Sequence, residues 1–263
     1  MAYLYETHLH TAESSKCAVS TGADYIKYYI DMGYSGIIVT DHFFNGYTGI
    51  SRKFPWKEWV KQFCRGYESA KNEGDKLGLD VFFGWEESFN YCDDYLVYGL
   101  DKEWLLEHPE ACNWTRGEQY RAVRDAGGCV VQAHPFRQRS YVQRLVLSTG
   151  CVDAVEAANG GNDEASFDAL ARRYAKNIGK PVTAGSDAHN TAEILNKHYG
   201  VYSGKKLNNI KDFVDMILNN EIAGIKTDDT RFDFNGKEKV RVPCEIRDKN
   251  DRIIKKNWKE LIV

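Results

Sequence analysis

The 263-residue sequence lacks any run of about 18 consecutive apolar residues, which a transmembrane helix would need. Its N-terminus also lacks the succession of basic, apolar and small residues that marks a secretory signal peptide. From these two absences we expect a cytoplasmic protein with no membrane partner.

The cysteines lack the spacing of a disulfide framework or of a zinc ribbon. There are seven of them, an odd number, and none belongs to a Cys-x-x-Cys pair. Scattered cysteines of this kind are typical of reduced thiols inside the cell. The pattern therefore agrees with a cytoplasmic location.

A large excess of either charge is also missing. Lys and Arg number 35 and Asp and Glu number 38, so the formal net charge is −3. A surface built mainly to bind nucleic-acid backbone is basic, and we therefore expect a small molecule as the partner. A local basic groove for nucleic acid stays open as an alternative, as does the oligomeric state.

Short apolar, strand-like runs alternate with longer segments of helical periodicity along most of the chain. The longest helical pattern covers residues 56–77, with Trp59, Phe63 and Tyr67 along one stripe. This βα order predicts an α/β fold with a parallel sheet, either open or closed into a barrel.

The last part of the chain changes character and is rich in charged residues. Two strand-like runs, residues 239–246 and 252–256, flank the turn-forming segment Asp248-Lys249-Asn250-Asp251. We therefore expect a barrel domain over residues 1–226 and a short C-terminal appendage over residues 227–263 that can form a β-hairpin.

Two histidines, His8 and His10, stand one residue apart at the end of the first strand-like run. Side chains of an extended strand repeat their direction every second residue, so both imidazoles point the same way. Such a pair can bind one metal ion.

Further polar residues end or closely follow other strand-like runs. They are Asp41, His42, Glu86, His134, Asp187 and His189. Imidazole and carboxylate together suit zinc, manganese or iron, and a carboxylate can bridge two ions. Ions about 3.5–4 Å apart can clamp an in-line displacement at phosphorus and lower the pKa of a bound water. We therefore expect two or three divalent transition metal ions.

The sequence resembles the PHP (polymerase and histidinol phosphatase) family over roughly residues 1–224. The motifs that carry the resemblance are His8-Leu9-His10-Thr11, Thr40-Asp41-His42, Gly84-Trp85-Glu86, Ala133-His134-Pro135 and Ser186-Asp187-Ala188-His189. The resemblance implies a distorted seven-stranded β/α barrel of the TIM-like type. Family members hydrolyse phosphate esters, act as exonucleases beside a polymerase, or have no assigned substrate.

The resemblance also implies a ligand set. The first ion is bound by four residues, namely His8, His10, Glu86 and Asp187. Glu86 bridges to a second ion, which also takes His134, while His42 and His189 serve a third. Asp41 is expected to orient a ligand rather than to bind metal.

The sequence departs from the family pattern at two places. Ser15 and Lys16 stand where trinuclear members often have Asp or His, so the third ion is expected to bind loosely, or the Lys16 ammonium to replace it. Cys17, next in the chain, is either a soft ligand or a packing residue, and packing is favoured. No histidine follows the strand over residues 95–99, where Asp101 is only a possible substitute.

These features predict a metal-dependent phosphoesterase that hydrolyses a small phosphorylated metabolite, like histidinol phosphatase, through a metal-activated hydroxide. Asp187 or His189 is expected to pass a proton to the leaving group. Alternatives are hydrolysis of phosphodiesters or nucleotides, including exonuclease trimming, and a metal-binding regulatory module without turnover.

Three residues are candidates for binding the substrate. Arg137 follows the strand that leads to His134 and can bind a phosphate with two hydrogen bonds. Asn159 ends a strand before two glycines, where it either faces the site or turns the chain. Lys16 is the third candidate, through its charge.

Overall fold

The computed structural model describes residues 2–89, 93–234, 236 and 238–263. The strands are β1 (Tyr3–Glu6), β2 (Gly36–Val39), β3 (Asp80–Ser88), β4 (Asp94–Tyr98), β5 (Cys129–Gln132), β6 (Leu145–Ser148), β7 (Ala154–Asn159), β8 (Val182–Gly185), β9 (Gly200–Ser203), β10 (Gly224–Lys226), β11 (Cys244–Arg247) and β12 (Ile253–Ile254). The α-helices are α1 (Gly22–Asp31), α2 (Trp56–Phe63), α3 (Arg65–Leu77), α4 (Lys102–Glu107), α5 (Arg116–Asp125), α6 (Ala165–Asn177), α7 (Thr191–Ile194) and α8 (Ile210–Leu218).

The main sheet has nine strands in the order β10-β9-β1-β2-β3-β4-β5-β7-β8. Its two edge strands, β8 and β10, lie close to each other, so the sheet is nearly closed. The resemblance implied seven strands, whereas this sheet has nine. The predicted α/β barrel is confirmed.

The expectation of a parallel sheet holds for only part of the barrel. The β1–β2, β2–β3, β5–β7 and β7–β8 pairs are parallel, whereas β4 runs antiparallel to both of its neighbours. Only residues 89–93 separate β3 from β4, which is too short for a helical crossover and allows only an antiparallel return. Strands β9 and β10 are also antiparallel to their partners.

The helix predicted over residues 56–77 is in fact two helices, α2 and α3, with a break at Cys64. The break allows the first turn of α3 to press against the loop after β1. A Cβ atom at Gly66 would lie 1.9 Å from Thr11 Oγ1 and 2.7 Å from Asp41 Oδ2, so only glycine fits there. Gly66 thus supports the loop that follows His10.

The C-terminal tail forms the predicted hairpin, although its strands are shorter than expected. Strands β11 and β12 pair antiparallel, with Ile246 opposite Ile254. Strand β11 also pairs in parallel with β6, an unpredicted strand between β5 and β7. Ile246 is buried in a cluster with Leu145 and Leu147 of β6. The tail is therefore attached to the barrel through β6, while the domain boundary at residue 226 stays a prediction.

Within the described part of the chain, no helix combines the length and the apolar character that a membrane crossing requires.

Replacing Ile246 by Ala tests whether the tail stabilises the barrel. Ile246 is 1% exposed, so the truncation removes buried apolar volume, and we expect the free energy of unfolding to fall by about 2–5 kcal/mol. The matched control is Ile253→Ala in β12, where the side chain is 62% exposed and the expected loss is below about 0.5 kcal/mol. Urea denaturation measures both, and equal losses would show that the buried contact of β11 contributes nothing.

Candidate metal centre

The barrel rim at the carboxyl ends of the parallel strands gathers all the metal ligands expected from the sequence. His8 and His10 follow β1, and the backbone there pairs with the segment after β8. His10 N donates a hydrogen bond to Ala188 O at 3.0 Å, and Asp187 N donates one to His8 O at 2.8 Å. His42, after β2, forms an isolated bridge with Glu86 of β3. These extensions of the sheet bring residues from distant parts of the chain to one point.

The Glu86 carboxylate lies at the centre of this group and is 1% exposed. Its Oε1 faces His8 Nε2 at 3.3 Å and His134 Nε2 at 3.2 Å. Its Oε2 faces His42 Nδ1 at 2.8 Å and His10 Nε2 at 3.5 Å. The two oxygens therefore face different pairs of imidazoles, which is the arrangement of a bridging ligand.

The first cluster joins His8, His10 and Asp187, whose ligand atoms all lie within 4.8 Å of one another. Asp187 Oδ1 is 3.6 Å from His8 Nε2 and 3.2 Å from His10 Nε2. Together with Glu86, whose Oε1 faces His8 and whose Oε2 faces His10, these residues are the four-residue set implied for the first ion.

The second cluster contains Glu86, His134 and a residue that the sequence reasoning missed, Asp94. Asp94 Oδ2 lies 3.9 Å from His134 Nε2. The resemblance placed a ligand after this strand, where Asp101 was only a possible substitute. Since β4 is antiparallel, its first residue lies at the rim instead. Asp101 caps α4, where its side chain accepts a hydrogen bond from Trp104 N.

The third cluster joins His10, His42 and His189, again with ligand atoms within 4.8 Å of one another. Next to this cluster, the Cys17 thiol hydrogen-bonds to His42 and His189. Burial raises the pKa of the Cys17 thiol, but the hydrogen bonds with His189 and His42 outweigh it and lower that pKa.

Lys16 and Ser15 lie in the loop that follows His10. The Lys16 side chain is exposed and its ammonium lies 5.5 Å from the centre of the Tyr47 ring, so it does not stand in the place of an ion. Ser15 Oγ lies 3.2 Å from His10 Nδ1 and donates to Asp41 Oδ1 at 2.6 Å. Asp41 thus contacts His10 through Ser15, an arrangement that suits the orienting role expected of it.

Behind His8 lies a buried acid that the sequence reasoning also missed, Glu156 of β7. Its Oε1 is 2.9 Å from His8 Nδ1, and its Oε2 accepts from His134 N at 3.1 Å. The carboxylate fixes the His8 ring so that Nε2 faces the centre. A single acid within the apolar run of β7 was the available signal for this residue.

Asn159 contacts Glu156 and belongs to the same support. It is fully buried, and its Nδ2 donates to Glu156 Oε2 at 2.8 Å. Its Oδ1 accepts from Arg137 at 2.5 Å and from Gly161 N at 2.7 Å. The polar atoms of Asn159 are thus committed to neighbours, and its contact with a substrate stays a prediction.

Arg137 lies beside the first cluster. Its Nη2 is 2.6 Å from Asp187 Oδ2, and its Nε donates to Asn162 Oδ1 at 2.9 Å. Gly161 permits this approach, since a Cβ there would lie 2.8 Å from both Arg137 Nη2 and Asp187 Oδ2. Arg137 therefore holds a metal ligand, and its contact with a substrate phosphate stays a prediction.

Two ligands have strained backbones. His134 has a φ of 27° and Asp187 a φ of 50°, in the left-handed region that residues other than glycine rarely adopt. Each such conformation costs on the order of 1–3 kcal/mol and persists where the surrounding structure enforces it. The strain lies at two of the predicted ligands, which supports a functional reason for their placement.

Charges within the cluster shift the pKa of its members in opposite directions. Burial disfavours the ionised form of Glu86, but His42 and His8 outweigh it and hold the pKa of this carboxyl well below its usual range. Burial likewise disfavours the ionised form of Asp187, but Arg137 and His8 outweigh it and hold the pKa of this carboxyl well below its usual value. Burial and the neighbouring His42 lower the pKa of His10 to about 3. Two ionised carboxylates and a neutral imidazole are therefore available to bind a cation at neutral pH.

The buried polar atoms of the centre fit a divalent metal. Glu86 Oε2 and His42 Nδ1 are buried, yet no described residue completes a hydrogen bond of normal geometry with either. The Nε2 atoms of His8 and His10 face each other at 3.2 Å. Imidazole and carboxylate atoms that converge without satisfying one another are a suitable donor set for zinc, manganese or iron.

The remaining acid and histidines near these motifs lie outside the centre. Burial raises the pKa of Glu87 well above its usual value, and its hydrogen bond with Asn45 only partly offsets this. His108 and His198 contact backbone carbonyls, those of Trp104 and Leu195 respectively. None of the three belongs to the clusters described above.

A cavity of about 860 Å³ opens over the three clusters. Its floor includes Glu86, Asp187 and His189. Its walls include aromatic and basic side chains, namely Tyr47, Phe89, Tyr141, Arg137, Arg139 and Lys197.

Replacing Asp94 by Asn tests the second cluster. The amide removes a charged ligand, so we expect affinity for the second ion to fall at least about 10–100-fold, while the first ion is retained. The matched control is Asp101→Asn, since asparagine also caps a helix and the α4 cap lies away from the rim. Competition with a chromogenic chelator measures both ions. Full retention of metal in the Asp94 variant would remove this residue from the site.

A comparison with protein families matches residues 168–222 to the family described as PHP-associated. No curated protein matches the sequence.

Several solved structures share the fold at low sequence identity. A proposed metal-dependent phosphoesterase from Bifidobacterium adolescentis is 17% identical with a TM-score of 0.51, covering 71% of this chain and 88% of that one. A two-domain protein from Bacteroides vulgatus, containing a predicted PHP-like metal-dependent phosphoesterase, is 14% identical with a TM-score of 0.54, covering 82% and 63%. The lesion-specific endonuclease Q of Pyrococcus furiosus is 12% identical with a TM-score of 0.54, covering 86% and 57%.

This chain thus spans less than two thirds of the length of the last two proteins. The PHP-associated match over residues 168–222 and the fold shared with these structures agree with the resemblance seen in the sequence.

Proposed function

We propose that this chain is a metal-dependent phosphoesterase that hydrolyses a small phosphorylated metabolite. The observation that carries the proposal is the Glu86 carboxylate, whose two oxygens face different imidazole pairs at 2.8–3.5 Å. A shared carboxylate of this kind suits two adjacent ions.

Divalent ions bound in this way supply a low-pKa water and neutralise the charge that develops on a phosphoryl group. The chain's own residues hold the ligands in place. Glu156 fixes His8, Ser15 and Asp41 fix His10, and Arg137 fixes Asp187. This support keeps the ligands ordered, which electrostatic catalysis requires.

The two residues proposed for proton transfer differ in their surroundings. Asp187 is buried, with one oxygen on His10 and the other on Arg137, so it is poorly placed to donate a proton. The His189 side chain is 26% exposed and lines the cavity. Of the two, His189 is the residue that can reach a leaving group or a third ion.

The cavity supports a small substrate. Its volume of about 860 Å³ lies within the range of about 300–1,000 Å³ common to small-molecule sites. The net charge of −3 does not favour a surface for long nucleic acids. The alternative is a nucleic-acid substrate, because the similar barrel of endonuclease Q belongs to a lesion-specific endonuclease.

A substrate panel tests the proposal. Protein loaded separately with Mn²⁺, Zn²⁺ or Fe²⁺ is offered phosphorylated metabolites, a phosphodiester and a labelled oligonucleotide. We expect phosphate release from small monoesters, abolished by a chelator. Glu86→Gln should lower kcat/KM by at least about 100-fold, because a neutral amide is a poor bridge.

The matched control is Glu87→Gln, which changes the adjacent buried acid outside the centre and should keep its activity. Cleavage of the oligonucleotide alone would contradict the small-molecule substrate. Absence of turnover on the whole panel by fully loaded protein would instead favour a regulatory module.

A further inference from the structure

The loop between β1 and α1 brings a thiol beside the third cluster. Cys17 is half-buried and hydrogen-bonds to both His42 and His189. It also lines the cavity beside them. These two histidines belong, with His10, to a group whose nitrogens lie within 4.8 Å of one another.

The backbone around Cys17 is held from both sides. On one side, Lys16 N donates to Tyr47 O at 3.0 Å, which ties the loop to the segment after His42. On the other side, Val19 N donates to His189 O at 2.8 Å. The thiol is therefore placed between the segments that carry His42 and His189.

The two residues that precede Cys17 do not occupy the position beside the third cluster. Ser15 is occupied with His10 and Asp41, and the Lys16 side chain is exposed against Tyr47. The third cluster would otherwise offer imidazoles alone, although the first two each include a carboxylate. A thiolate would give the third cluster a negative charge of its own.

We infer that Cys17 binds the third ion as a thiolate, together with His42 and His189. On binding, the thiol proton and any imidazole proton leave to solvent, because only the deprotonated groups are ligands. A site with one thiolate and two imidazoles is softer than the first two sites. It should therefore favour zinc over manganese, whereas the carboxylate-rich sites accept either.

This inference rests on the proposed function only because both need a metal centre. When Cys17, His42 and His189 bind the third ion, His189 is a ligand and not the donor of a proton to the leaving group.

Cobalt substitution tests the inference without an activity assay. Thiolate bound to Co²⁺ gives a charge-transfer absorption in the near ultraviolet, which imidazole and carboxylate ligands do not. We expect this band in the wild-type protein and its loss in Cys17→Ser. The matched control is Cys112→Ser, since Cys112 is also half-buried but donates to Pro109 O away from the site. That variant should keep the band.

Zinc stoichiometry after dialysis gives a second readout. We expect Cys17→Ser to lose one zinc ion per chain, and Cys17→His to retain it while lacking the charge-transfer band. A band that persists in Cys17→Ser, or wild-type protein that binds cobalt without a band, would overturn the inference. Phosphoesterase activity in a protein without the band would overturn only the inference about Cys17. Wild-type protein that binds no metal would overturn the proposed function as well.

Discussion

The burial of the Glu86 carboxylate is the constraint on which the rest of the site depends. An ionised carboxylate taken out of water costs several kcal/mol unless positive charge or hydrogen bonds compensate it. Here the neighbours are imidazoles at 2.8–3.5 Å, and no described residue completes a hydrogen bond with Oε2. The cluster is therefore incomplete as a set of protein groups alone, and a shared cation would satisfy it.

The surrounding structure maintains this arrangement at a cost in stability. His134 and Asp187 hold left-handed backbones. Glu156, buried in β7, and Asp41, buried after β2, fix the ligand rings from behind. Structures keep such strain and buried charge where function requires them. The small three-stranded sheet of the tail lies elsewhere and contributes apolar burial through β6 and β11.

Local patterns in the sequence predicted the proposed metal ligands that follow a strand. The alternation of a strand placed His8 and His10 on one face, and the rule that functional residues follow parallel strands placed His42, His134 and Asp187. The same rule failed for Asp94, because β4 is antiparallel and presents its first residue to the rim. The support that Glu156, Asn159 and Arg137 give to the proposed ligands was not predicted. It depends on contacts with residues distant in sequence, which no local pattern encodes.

The most direct test of the metal centre is anomalous diffraction from crystals grown with Mn²⁺ or Zn²⁺, recorded at the absorption edge of each metal. The account predicts two strong peaks on either side of the Glu86 carboxylate. One peak should lie among His8, His10 and Asp187, and the other between His134 and Asp94. Crystals saturated with metal that show no peak beside Glu86, or one peak that Glu86 does not touch, would contradict it.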